Sequence, residues 1–167
     1  MSGYSENDFN DIRQRYMIRF PPDLMDIYRK RRSVIEGGFD WIKTPRAEIQ
    51  EMLDWPLEGM LFDIENNGFW MPEWGERPKS KSAREEIARA TIAAAPKLIP
   101  VHGHRYIPEE PYARGNPIFS VYQTDIIYYG ANLDDYIRHE THKDRGVIPP
   151  FRRIRFWSRF EEKSFPG

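Results

Sequence analysis

The stretch KLIPVHGHRYIPEEPYARGNPIFSVYQTDIIYYG, residues 97–130, decides the fold. It is rich in aromatic and β-branched residues, which are typical of strands, and turn-forming residues interrupt it. Four of its segments are therefore predicted to be β-strands: residues 97–101, 105–107, 118–122 and 125–129. Gln123 and Thr124, between the last two segments, form either a tight turn or part of one continuous bent strand.

The sequence before this stretch has mostly helical periodicity. Apolar residues recur every three or four positions, and proline or glycine follows each such run. The pattern predicts helices at residues 8–17, from 23 to the Gly37-Gly38 pair, from 44 to Trp55-Pro56, at 57–65 and at 82–95. A short β-type run is predicted at residues 39–43, and residues 69–78 are predicted to form an ordered loop or an edge strand.

Two helix starts carry capping residues. Ser82 and Glu85 have the spacing of a capping box, in which each side chain binds a free backbone N–H at the start of the helix. Asn132 is predicted to cap a helix at residues 133–139.

The C-terminal region is predicted to end in a strand at residues 153–157. Alternation there indicates that Ile154 and Phe156 face the core while Trp157 faces out. The overall order is helices, then strands, then one more helix. This order predicts an α+β fold rather than an alternating parallel one.

Length and composition limit the class of protein. A chain of 167 residues fits one domain, and its aromatic content of 14% argues against disorder. Cysteine is absent, which excludes disulfides and thiolate chemistry. No apolar run is long enough for a membrane span, and the first residues, MSGYSENDFN, do not resemble a secretory signal. We therefore expect a cytoplasmic protein without a membrane partner.

The net charge of −1 conceals an asymmetry along the chain. Residues 46–76 contain eight acidic residues and one basic residue, whereas residues 141–167 contain seven basic and three acidic residues. A balanced total makes general nucleic-acid binding unfavourable, because such binding requires a dominant positive field. The acidic region is either a solvated surface or a face that attracts a basic protein partner.

The histidines offer one route to catalysis. The chain has two close pairs of them: His102 with His104, and His139 with His142. Each pair could share a face, so the four could hold a metal ion, with Glu109, Glu110 and Asp125 as acid–base groups of a hydrolase. The spacing matches no known ligand motif, and hydrogen-bonded structural histidines are the simpler interpretation. We predict no metal and no cofactor.

Aromatic residues offer a route to binding. Most of the tyrosines and tryptophans are expected in the core, because these residues bury their rings. A subset near His104, Arg105 and Gln123 could instead form a patch for a partner, since aromatic residues and arginine supply much of the energy at interfaces.

Several blocks of the chain resemble the SUKH superfamily, which includes the fungal cell-wall-assembly regulator and many bacterial immunity proteins. The blocks are FPPDLMDIYRKR followed by Gly37-Gly38, then ENNGFWMPEWGERP, APKLIPVHGHRYIPEEP and GNPIFSVYQTDIIYYGANLDDYI. The resemblance covers residues 20–157, nearly the whole chain. It predicts a domain at residues 20–160, after an N-terminal extension at 1–19 and before a tail at 161–167.

The resemblance implies a single α+β domain with a mainly antiparallel sheet flanked by helices, and no enzyme activity. It implies a protein partner such as a secreted polymorphic toxin, often a nuclease, which the immunity protein binds and neutralises. A regulatory domain that binds a ligand or another protein is the alternative, and the oligomeric state stays open. The candidate binding residues are Trp70, Trp74, His104, Arg105, Tyr106, Tyr122, Gln123 and Asp125.

Overall fold

A four-stranded antiparallel sheet in the order β1-β2-β3-β4 organises the computed structural model, which describes residues 2–163. The strands are β1 (Leu98–His102), β2 (Arg105–Pro108), β3 (Ile118–Tyr122) and β4 (Asp125–Gly130). The helices are α1 (Glu6–Tyr16), α2 (Pro22–Lys30), α3 (Arg46–Asn66), α4 (Lys81–Ala94), α5 (Leu133–Glu140) and α6 (Ser158–Glu162). The predicted α+β fold is confirmed. No helix in the described residues is both long and apolar enough to cross a membrane.

Each face of the sheet packs against its own hydrophobic cluster. The first cluster joins Ile99 and Ile107 of the sheet to α1, α2 and α5. The second joins Phe119 and Val121 to α4 and α6. Helix α3 contributes to both, because Ile49 belongs to the first cluster and other buried residues further along the helix belong to the second. This long helix therefore packs against both clusters.

The four strand predictions within residues 97–130 agree with the structure because they rest on local signals. All four of these strands are present, with ends that differ by no more than one residue. Gln123 and Thr124 form a tight turn, and Gln123 has a positive φ of 55°. The side chain of Asn132 accepts a hydrogen bond from the backbone N–H of Asp135, so the predicted cap of α5 is also confirmed.

Helix α3 is continuous, although a break was predicted at Trp55-Pro56. Proline lacks the N–H that would bind the carbonyl of Met52, four residues earlier. The hydroxyl of Tyr106 donates to that carbonyl at 2.6 Å instead. A contact from β2 thus replaces the missing helical hydrogen bond, and the helix can pass through the proline.

The segment between α2 and α3 differs from the prediction. Helix α2 ends at Lys30, well before Gly37-Gly38, and residues 39–43 contain a turn at 41–43 rather than a strand. The reason is the carboxylate of Asp40, which accepts hydrogen bonds from the backbone N–H groups of Ile42 and Lys43 and pairs with Arg32. Those N–H groups are therefore not available to a neighbouring strand.

The predicted capping box at Ser82 is wrong by two residues. Ser80 is the N-cap of α4, and its hydroxyl accepts a hydrogen bond from the N–H of Ala83. A complete capping box occurs instead at the start of α1, where Ser5 and Asp8 bind each other's backbone N–H.

The C-terminal region forms a turn and then helix α6 rather than a strand. Trp157 is only 1% exposed, so the prediction that it faces solvent is wrong. Ile154, Trp157 and Phe160 are three residues apart and are all buried in the second cluster, which is helical rather than alternating spacing. Residues 164–167 of the predicted tail lie outside the described residues.

The loop before α4 contains a short 3-10 helix, Pro72–Trp74, and no strand.

At the edges of the sheet, β1 carries Pro100 and an irregularity in its register with β2. On β4, the N–H of Tyr128 donates to the carboxylate of Glu161 from α6.

Candidate functional site

A groove of about 640 Å³ lies between the first half of α3 and the turn that joins β1 to β2. Its floor and walls are mainly apolar, and two carboxylates lie on its α3 side. The lining residues are Phe39, Thr44, Glu48, Glu51, Met52, Trp55, Gly103, His104 and Tyr106. The volume falls within the range of protein ligand sites.

Trp55 is held in one orientation at this groove. Its indole N–H donates to the backbone carbonyl of Val121 at 2.7 Å. The indole meets the ring of Tyr122 edge to face at 6.0 Å, and Tyr122 in turn lies 6.3 Å from the ring of His104. The aromatic group therefore extends from α3 across the β3–β4 hairpin to the β1–β2 turn.

An acidic and aromatic stripe runs along the outer side of α3. Its members are spaced at helical intervals and are all exposed: Glu48, Glu51, Trp55, Glu58 and Phe62. The exposed fractions of Trp55, Phe62 and the adjacent Tyr122 are 38%, 50% and 54%, which are high for aromatic side chains. Within residues 2–163, the three glutamates of the stripe form no ion pair. The stripe and Tyr122 together are called the α3 face below.

The β3–β4 hairpin is fixed onto α3 beside this face. The buried carboxylate of Asp63 accepts hydrogen bonds from the N–H and the hydroxyl of Thr124, at 2.8 and 2.6 Å. One turn earlier, Gly59 lies so close to Gln123 that a Cβ would be 2.7 Å from the Cα of Gln123. These contacts place Tyr122 next to Trp55.

The electrostatic character of the groove is negative. Desolvation, with a smaller effect from the neighbouring Arg105 guanidinium, lowers the pKa of His104. His104 is therefore neutral at pH 7 and does not offset the charge of Glu48 and Glu51.

Arg105, one of the predicted site residues, lies on the opposite face of the sheet from Tyr106, because neighbouring strand residues point to opposite sides. Its guanidinium donates to Ser120, lies 3.8 Å from Glu140 and stacks on the ring of Tyr129. Arg105 thus links β2 to α5 and does not line the groove.

The other predicted residues divide between two places. His104, Tyr106 and Tyr122 belong to the groove or its rim, with Tyr106 buried in the floor. Gln123 and Asp125 lie at the β3–β4 turn beside Tyr122. Trp70 and Trp74 contact each other and pack against the second cluster, where Trp74 donates to Thr91 of α4. The structure does not bring these two tryptophans to the groove.

The histidine pairs do not converge. His102 faces Glu140 at 4.0 Å, and His139 stacks on Tyr129 and contacts its carbonyl. His104 is at the groove, and His142 is exposed beyond α5. No group of three or more histidine, aspartate or glutamate side chains within residues 2–163 is placed to hold a metal ion.

The predicted acid–base carboxylates are also apart. Glu109 and Glu110 follow the end of β2, where Glu110 pairs with Arg155. Asp125 lies at the β3–β4 turn, which is at the other end of the antiparallel sheet. The placement of these groups gives the hydrolase alternative no support.

No protein-family model, no curated protein and no solved structure matches this chain. Membership of the SUKH superfamily therefore stays a prediction.

Two groove features were missed from the sequence. The sequence places Trp55 at the end of a predicted helix and shows Glu48 and Glu51 only as part of an acidic run. Their common face appears when residues 46–66 are placed on one helix, because Glu48, Glu51, Trp55, Glu58 and Phe62 then recur at helical intervals.

Proposed function

We propose that this protein is a non-enzymatic binding protein, namely a bacterial immunity protein that neutralises a polymorphic toxin by protein–protein contact. The observation that carries the proposal is the α3 face, on which exposed aromatic side chains lie among carboxylates that form no ion pair with any described residue. Aromatic anchors inside a polar rim supply most of the energy at protein interfaces. The resemblance to the SUKH superfamily supports the same function.

The charge of the α3 face favours a basic partner. Exposed carboxylates attract a positively charged surface and accelerate association with it. A nuclease toxin carries basic side chains where its own substrate binds, because contact with phosphates requires them. An immunity protein with an acidic face can cover that surface and exclude the nucleic acid.

A regulatory domain that binds a small ligand is the second candidate. The groove of about 640 Å³ is large enough for such a ligand, and its lining combines apolar side chains with a few polar groups. Binding of a small ligand would use the groove but would leave the exposed Phe62 and Tyr122 without a role, so we favour protein binding.

The test is co-expression with the toxin domain encoded beside the gene for this protein. We expect cells to survive with the wild-type protein and to die with the double variant Trp55→Ala/Tyr122→Ala. Tyr112→Ala is the matched control, because Tyr112 is also an exposed tyrosine but lies in the loop between β2 and β3. Cell death at the same rate with and without the wild-type protein would overturn the proposal.

A further inference from the structure

We propose that the groove is a socket for one arginine side chain of the basic partner. The inference rests on the proposed binding function and names the chemical group that the site recognises. A socket for arginine needs carboxylates to pair with the guanidinium, an aromatic ring for it to stack on, and an apolar wall for the methylene stem.

Glu48 and Glu51 supply the carboxylates. They lie one turn apart on the same side of α3, both line the groove, and neither pairs with a cation elsewhere in residues 2–163. An isolated surface carboxylate is well solvated, but two beside an apolar groove attract a cation that enters it. Among residues 2–163, no lysine or arginine lines the groove, and His104 is neutral at pH 7.

Trp55 supplies the aromatic surface. Its hydrogen bond to Val121 and its contact with Tyr122 fix the indole, so little side-chain entropy is lost when a ligand binds. Tryptophan is the preferred partner for cations over an aromatic face. Phe39 lies on the same groove, and Met52 lines it beside the α3 carboxylates.

The geometry favours arginine over lysine. A planar guanidinium can stack on an indole and donate to a carboxylate in its own plane at the same time, whereas an ammonium is a strongly hydrated point charge. The groove offers both kinds of surface within one turn of α3, from Glu51 to Trp55.

The experiment is an NMR titration of the full chain at pH 8 with N-acetyl-arginine amide. N-acetyl-citrulline amide is the control, because it has nearly the same shape and no charge. We expect saturable shifts of the Trp55 indole signal with arginine, and binding about tenfold weaker with citrulline. Equal binding of the two compounds, or no saturable shift, would overturn the socket.

Charge variants identify the carboxylates. Glu48→Gln/Glu51→Gln is expected to weaken arginine binding about tenfold. Asp11→Asn/Glu86→Gln removes the same charge from exposed positions on α1 and α4, and it should bind arginine like the wild type. Equal weakening in both variants would show a general charge effect and contradict a specific socket.

The same variants separate the socket from the proposed function. If Glu48→Gln/Glu51→Gln protects cells from the toxin as well as the wild type does, while Trp55→Ala/Tyr122→Ala does not, the protein binds its partner through the α3 face without the socket. If the wild type binds arginine but never protects cells, the immunity proposal fails and the socket stands.

Discussion

The hydroxyl of Tyr106 donates a 2.6 Å hydrogen bond to the backbone carbonyl of Met52, the carbonyl that Pro56 leaves without a helical donor. The two residues are 54 positions apart, so a tertiary contact completes the secondary structure of α3. Because Met52 and Tyr106 also line the groove, this bond positions the site as well as the helix.

Tyr106→Phe is expected to lower the free energy of unfolding by about 1–3 kcal/mol, because it leaves the Met52 carbonyl without a donor. In a Pro56→Ala background the restored N–H of residue 56 can donate to that carbonyl. Tyr106→Phe should then lower the free energy of unfolding by a smaller amount. Urea denaturation of the two single variants and the double variant measures the coupling. If the changes in free energy of unfolding of the two single variants add up to that of the double variant, Tyr106 does not replace the missing helical donor.

Gly59→Ala is expected to destabilise the protein, although glycine to alanine inside a helix ordinarily stabilises by about 1 kcal/mol. The new Cβ would be 2.7 Å from the Cα of Gln123, so the β3–β4 turn must move away from α3. Thermal unfolding gives the sign of the change. Ala47→Gly, at an exposed position of the same helix, calibrates the propensity effect, and a rise in Tm for Gly59→Ala would refute the close approach.

The ionisation of Asp135 is expected to make the free energy of unfolding depend on pH in the acidic range. A bidentate ion pair with Arg145 is the main cause that lowers the pKa of this buried carboxyl. Ionised Asp135 therefore contributes fully to the free energy of unfolding above its unfolded-state pKa of about 3.9. This contribution is lost as the pH falls through the lower pKa of the folded state.

At pH 7, Asp135→Asn should reduce the free energy of unfolding by about 3 kcal/mol, and the difference from wild type should shrink below pH 4. Asp134→Asn is the control, since Asp134 is largely exposed and its pair with Arg138 is a surface pair. Urea titrations at pH 7 and pH 3 measure both variants. A pH-independent effect of Asp135→Asn would show that the loss comes from packing alone.

Trp157→Ala is expected to reduce the free energy of unfolding by about 3–5 kcal/mol, because the indole is buried in the second cluster. Its N–H also donates to the carbonyl of Pro96, at the entrance to β1. Denaturation by urea measures the loss. A cost below about 1 kcal/mol would instead agree with the exposed position that alternation in the sequence indicated.

Sequence reasoning succeeded where the structure depends on local chemistry. The β3 and β4 strands follow from β-branched and aromatic runs on either side of Gln123-Thr124, and the cap of α5 follows from Asn132. The predicted break in α3 is wrong because a distant residue decides the outcome. Nothing near Pro56 in the sequence shows that Tyr106 will bind the Met52 carbonyl.

In the candidate site, too, local sequence patterns predict some residues and not others. The aromatic residues of the hairpins, such as Tyr106 and Tyr122, could be found from the strand pattern. The full extent of the α3 face could not, because Phe62 shares a face with Trp55 only on a helix that continues through Pro56. At the C-terminus, Arg153 and Arg155 on either side of Ile154 indicate alternation, whereas burial at every third position decides the conformation.

The edges of the sheet restrict how another molecule can attach. Pro100 has no N–H to offer on β1, and the N–H of Tyr128 on β4 already donates to Glu161. Backbone extension of the sheet by a foreign strand is therefore disfavoured on both sides, which also protects the protein from edge-to-edge aggregation. Recognition is left to side chains, so partner choice can change by point substitution without disturbing the hydrogen-bonded framework.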